Sequence, residues 1–247
     1  GKTAVAQQLA TQEKRTTLFG ADGVHRNASY HPFIRWLSRQ TGRNPPDFSD
    51  VSARFSALEE TAQQALALIL GLPQGQRLLT ERSNVALKVL IENSLWDAIQ
   101  NLQPHGLLVF EDLHWMDNAS LGVLNHIIQS KEAKNYQIVL TSRDDTRIGG
   151  LLTAGKINTI PLGPLSSNEA TQLLNALSHG LMAPHQRAMM IDHAAGIPLF
   201  IEQLFQRDAA QPNRRRDVPG SLKDLLAEQI DNTGPAKPVL QCAAVIG

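Results

Sequence analysis

The sequence predicts an α/β fold: a parallel sheet flanked by helices, followed by an all-helical part. Two observations carry this prediction. The runs "GLLVFED" (106–112) and "YQIVLTSR" (136–143) are apolar without alternation, which is how strands buried on both faces read. A helical pattern separates them, and the order strand, helix, strand closes into a parallel sheet through a crossover. From Ser166 onward the apolar residues recur at helical spacing only.

Taken in order, Val5, Ala6, Leu9 and Ala10 fall on one face of a short helix ending near Lys14. "RTTLFG" (15–20) is β-branched and aromatic and predicts a strand; the polar loop "ADGVHRNAS" follows, then a helix around "PFIRWLSRQ" with Pro32 in its first turn. Between the turn signals "NPPDFSD" and "GLPQGQ" lies the helical "RFSALEETAQQALALIL", and a longer helix spans roughly 81–101. This whole stretch reads as a helical insertion before the strand at 106. After that strand, "DNASLGVLNHIIQS" opens with capping residues and sets Leu121, Leu124 and Ile128 on one face. "INTIPLGPL" (157–165) is a third strand candidate, weakened by Pro161 and Pro164. Ser166 and Glu169 form a Ser-x-x-Glu cap, and helices follow near 185–195 and 198–208. "DAAQPNRRRDVPGS" reads as a linker, with helical "LKDLLAEQI" and "PVLQCAAV" beyond it. The expected division is therefore a core over 1–165, a helical lid over 166–210, and a linker with the start of a C-terminal helical, winged-helix-like region over 211–247.

Bulk properties narrow the function classes. With 247 residues and 42% hydrophobic content the chain can bury a sizeable core. Lys+Arg and Asp+Glu both number 23, so no net field draws the segment to nucleic acid or to an anionic membrane. Arg214-Arg215-Arg216 is the single basic run and fits a solvated linker. No apolar stretch approaches the ~20 residues of a membrane span, and the opening lacks a signal-peptide core. The single Cys242 sits in an apolar run, where a buried inert thiol is expected. A cytoplasmic setting follows, without membrane or direct nucleic-acid binding.

The chemistry-bearing residues stand just past strand ends, where ligands bind in open parallel sheets. "GKTAVAQQLA" opens with Gly1-Lys2-Thr3, the last three positions of the phosphate-binding pattern G-x-x-x-x-G-K-[ST], at the mouth of a helix whose dipole favours anions. Glu111-Asp112 close a buried strand, a place from which carboxylates can hold magnesium or polarise a water. Thr141-Ser142-Arg143 close the next one, and Arg143 suits either a γ-phosphate contact or an ion pair with Asp144 or Asp145. Asp117 reads as a helix cap, His114 and Trp115 as packing residues, and Gly196-Ile197-Pro198 as helix punctuation.

The blocks "LLVFEDLHWMDNASLGVLNHI", "IVLTSR", "IPLGPLSSNEATQLL", "AAGIPLFIEQL" and "VPGSLKDLLAEQID", with the loop "HRNASYHPFIRWL", resemble the AAA-type P-loop ATPase module of the STAND class of signalling NTPases. The subgroup is that of large bacterial adenylate/guanylate cyclases, LuxR-type regulators and kinase fusions. The resemblance implies ATP and Mg2+ as cofactors. It implies that Gly1 and Lys2 bind phosphate, that Thr3 and Glu111 serve the metal, and that Asp112 serves the attacking water. Arg143 becomes a sensor, and Pro198 touches the adenine from the lid. Such NTPases usually carry Asp where this chain has Glu111, so the roles of Glu111 and Asp112 stay open to exchange. The implied function is an ATP-binding, ATP-hydrolysing regulatory switch of a larger signalling protein, of cyclase type above all. Its partners are effector domains of the same polypeptide, with a nucleotide-dependent oligomer as a further expectation. The alternatives are a non-hydrolysing ATP-binding scaffold and the ATPase part of a LuxR-type DNA-binding regulator. The chain opens inside the loop motif and so reads as a fragment. Without the strand before the loop, the segment alone is expected to bind ATP poorly and to be poorly stable.

Overall fold

The computed structural model describes residues 1–43, 45–143, 157–210, 221–231 and 233–246. It is α/β, with a small parallel sheet and many helices. Strands β1 (Thr16–Gly20), β2 (Gly106–Glu111) and β3 (Tyr136–Leu140) pair in that spatial order, all parallel. Gly20 pairs with Glu111 and Phe110 with Leu140, so the three strands end at one level. The unit from Lys2 to Thr159 holds the sheet; Ile160 to Gly247 form a second compact unit.

Side chains alternate across β2. Leu108 and Phe110 enter one core with Phe19, Phe33, Trp36, Leu95 and Ile99, all buried. Phe19 anchors it, stacked on Phe110 at 4.7 Å between ring centroids and tilted to Phe33 at 4.9 Å. Such pairs add about 0.5–1.5 kcal/mol beyond their buried area. Helices α2 (His31–Gln40), α3 (Phe48–Arg54), α4 (Glu60–Ile69), α5 (Arg77–Glu81), α6 (Asn84–Leu102) and α7 (Asn118–Gln129) supply the rest of this first unit's helical layer. Leu107 and Val109 point to the opposite face, where α1 (Lys2–Gln12) covers them with Ala6 and, less completely, Leu9 and Ala10. The buried Gln103 ties the entry of the sheet together: its amide donates to the carbonyls of Arg15 and Leu107, both at 3.2 Å, and accepts from the Thr17 hydroxyl at 2.7 Å.

In the second unit, α8 (Ser167–Ser178), α9 (Pro184–Ala194) and α10 (Pro198–Ala210) enclose a core of Ala170, Leu174, Ala194, Phe200, Ile201 and Leu204. The Ser166–Glu169 capping box forms as expected, Glu169 reaching back to the Ser166 backbone N–H at 2.7 Å. Gly196 has φ of +72°, and any β-carbon there would collide with the Leu165 carbonyl, so only glycine closes this turn. Helices α11 (Leu222–Asp231) and α12 (Lys237–Ile246) complete the chain. The linker with Arg214-Arg215-Arg216 lies outside the described residues.

Four expectations change. The helix over "RFSALEETAQQALALIL" is broken between α3 and α4: Phe55 is fully buried, and its carbonyl accepts from the Leu58 N–H at 2.9 Å and the Gln63 side chain at 3.2 Å. A core-filling aromatic and a side-chain cap here outweigh helical continuity. Residues 157–166 form no strand; Pro161 and Pro164 remove two donors, and Ile160 is 79% exposed. Among the described residues, the edge of β3 away from β2 has no strand partner. In α7 the fully buried stripe is Ser120, Val123, Leu124 and Ile127, with Leu121 and Ile128 at its margins. Cys242 is exposed rather than buried, on a helix whose Val239 and Leu240 also face solvent.

Candidate functional site

The carboxyl ends of β2 and β3 are locked to each other. Asp112 follows β2 with φ 55° and ψ 49°, a left-handed conformation that aspartate tolerates better than most residues. Thr141, just past β3, holds it there. The Asp112 N–H donates to the Thr141 hydroxyl at 3.1 Å, and the Leu113 N–H donates to the Thr141 carbonyl at 2.9 Å. The Thr141 N–H donates in turn to the Phe110 carbonyl at 2.9 Å. Both strands thereby fix the sharp turn at which the acid pair stands.

The two acids differ in setting. The Asp112 side chain is 41% exposed. Glu111 is half-buried, and its Oε1 has no hydrogen-bond partner among the described residues. Burial raises the Glu111 pKa above the ordinary carboxylate value, and the neighbouring Asp112 raises it further; the Thr3 hydroxyl near the same carboxylate offsets part of this. Thr3 reaches Glu111 because α1 begins at Lys2 and lies along β2 through Ala6. The positive end of the α1 dipole therefore stands beside the acid pair.

The 3-10 turn Leu113–Trp115 carries the next contacts. His114 Nδ1 accepts from the Arg143 N–H at 3.4 Å, which requires that nitrogen to be unprotonated. His114 Nδ1 also lies 3.9 Å from Asp112 Oδ1. The Arg143 residue is exposed, and Asp144 and Asp145 lie outside the described residues. Asp117 is the N-cap of α7: it accepts from the Ser120 N–H at 2.9 Å and hydroxyl at 2.6 Å, and from the Tyr30 N–H at 3.2 Å.

Of the residues singled out in the sequence, Thr3, Glu111 and Asp112 come together, Lys2 opens the helix carrying Thr3, and Arg143 joins them through its backbone and His114. Gly1 is exposed with open space around it. Pro198 opens α10 in the second unit, directly after the Gly196 turn. The sequence reading did not single out Thr141 for what it does. Its signal was a hydroxyl just past a buried strand that falls, by parallel register, level with Glu111 and so beside the Asp112 N–H. Comparison of the chain with protein families, curated proteins and solved structures gives no match.

Proposed function

We propose that this chain is the ATP-binding and ATP-hydrolysing regulatory switch module of a larger signalling protein, of the AAA/STAND P-loop type that its motifs resemble. The observation that carries this reading is the buried, unpartnered Oε1 of Glu111 beside the Thr3 hydroxyl at the start of α1. A buried carboxylate oxygen without a donor wants a cation, and a hydroxyl next to a carboxylate is an oxygen donor set suited to Mg2+. Thr3 and Glu111 are the residues to hold that ion, which when bound neutralises charge on the phosphates.

The remaining roles fall to this chain's own groups. Lys2 and the N–H groups opening α1 attract and orient the β- and γ-phosphates. Asp112, exposed and held in its turn by Thr141, orients a water for attack and takes its proton. Arg143 senses the γ-phosphate, and its backbone link to His114 ties that sensing to the turn after β2. Effector domains of the same polypeptide read the nucleotide state.

The test uses the full-length parent protein. Mg2+ and ATP raise its melting temperature, since a ligand at 100 times its dissociation constant stabilises by about 2.7 kcal/mol. Lys2→Ala abolishes the shift. Asp112→Asn keeps the shift and abolishes phosphate release. No shift in the wild type sinks the nucleotide reading. Unchanged phosphate release in Asp112→Asn sinks the hydrolytic part and leaves a non-hydrolysing scaffold.

A further inference from the structure

The loop after β1 and the first residue of α2 bring together three ligand-type side chains that the nucleotide reading does not use. Asp22, His25 and His31 each offer a ligand atom, and these atoms lie within 4.8 Å of one another. Asp22 Oδ1 is 2.8 Å from His25 Nδ1, and the His25 and His31 rings stack with centroids 3.8 Å apart and planes 9° from parallel. His31 Nδ1 is buried without a hydrogen-bond partner among the described residues. All three residues are half-buried.

We infer that Asp22, His25 and His31 form a binding site for a first-row transition-metal ion such as Zn2+. The chemistry is two imidazole nitrogens and one carboxylate oxygen, a set that suits Zn2+, Ni2+ or Cu2+ and not Mg2+ or Ca2+, which take oxygen alone. Metal–ligand distances of about 2.0–2.2 Å put tetrahedral ligand atoms about 3.3–3.6 Å apart, so the wider spacings in the set close by roughly 1 Å while the Asp22–His25 pair, now at 2.8 Å, opens slightly. A loop of polar residues can supply this adjustment. Coordination replaces the Asp22–His25 hydrogen bond and gives the buried His31 nitrogen the partner it lacks.

Backbone contacts prearrange the set. Asp22 Oδ1 accepts from the N–H groups of Val24 at 3.1 Å and His25 at 2.9 Å, which folds the loop so that the carboxylate faces back over it. Tyr30, immediately before His31, is in the left-handed region, and its N–H is held by Asp117 at 3.2 Å. Gly23 lies against the Trp115 indole, 3.5 Å from where a β-carbon would stand. An ion here fixes the loop against the turn that follows Glu111 and Asp112. The competing cation is Arg35, whose Nη1 is 3.7 Å from Asp22 Oδ2.

Calorimetric titration of the full chain with Zn2+ alone tests the site, with Co2+ absorption as a second readout. One equivalent binds more tightly than about 10 µM, and bound Co2+ shows the ligand-field bands of a low-symmetry nitrogen/oxygen site. The folded His25→Gln/His31→Gln variant loses this equivalent. Removing even an outer hydrogen-bond partner of a metal ligand costs about 10–100-fold, so Asp22→Asn weakens binding by at least that order. Arg35→Ala, which leaves every ligand in place, tightens it about two- to fivefold by removing the competing charge. His185→Gln/His193→Gln, on α9, changes nothing. The inference is overturned if the wild type shows no such equivalent, or if His25→Gln/His31→Gln binds as the wild type does. An unchanged or weakened Kd in Arg35→Ala also overturns it. This experiment contains no nucleotide, so its outcome is separate from that of the ATP reading.

Discussion

The two faces of the sheet are held very differently. Leu108 and Phe110 face a core of aromatic and aliphatic side chains drawn from six helices, whereas among the described residues Leu107 and Val109 face one helix, α1, with one fully buried residue, Ala6. The candidate site straddles this difference. Glu111 and Asp112 are carried by β2, which is buried on both faces and locked to β3 through Thr141. Lys2 and Thr3 are carried by α1, on the thin face. The acid half of the site is therefore the better anchored, and low local stability of the α1 half is the expected consequence of few buried apolar contacts.

The largest test of this contrast is Phe19→Ala. It empties the centre of the thick face and should cost about 3–5 kcal/mol, read as a lower urea midpoint for the whole sheet unit. A loss below about 1 kcal/mol would mean that this core repacks freely and that the contrast is overstated. Thr141→Val comes next: it keeps shape but removes the acceptor of the Asp112 N–H, for a cost of about 1–2 kcal/mol. The same variant tests the link between strand ends, because the Asp112 amide should then exchange faster while amides within β1 do not. Ala6→Gly should cost about 0.5–1 kcal/mol. Its signature is local, with α1 amides losing protection in hydrogen exchange and α6 amides keeping theirs; equal loss in both would show that α1 is not a separately weak element.

The smallest effect is electrostatic. Burial and Asp112 raise the Glu111 pKa, so the folded state holds this proton to higher pH than the unfolded chain does. Stability then falls as pH rises through the window between the ordinary carboxylate value and the raised one, and remains lower above it. Glu111→Gln should accordingly melt higher than the wild type at neutral pH, with the advantage vanishing below the ordinary carboxylate range. A wild-type advantage at neutral pH would mean that the Glu111 charge is already compensated.

Much of the architecture was legible because two different periodicities announce themselves. The apolar run over 107–110 has no polar face, so it had to be a strand covered on both sides, and the β-branched and aromatic residues over 16–19 favoured an extended chain. Asp117 and Ser166 were readable as caps because a short polar side chain before an apolar periodic run has one common use. The break after Phe55 was not readable, because its residues are good helix formers and only the cavity that Phe55 fills decides against them. The exposure of Cys242 was hidden for the same kind of reason: an apolar run states that a helix wants a partner, not that one is present.

The sequence by itself determined the three strands that form, the parallel sense of their sheet, and the acids at the end of β2, since each follows from local pattern and short-range chain geometry. Only the tertiary structure decided which of these residues meet. Thr3 and Glu111 are 108 positions apart, Asp112 and Thr141 are 29 apart, and their contacts depend on strand register and on the seating of α1. The grouping of Asp22 and His25 with His31 belongs to that second class as well. A polar loop can close in many ways, and the hydrogen bonds of Asp22 and the anchoring of Tyr30 to Asp117 select the one that brings the three side chains together.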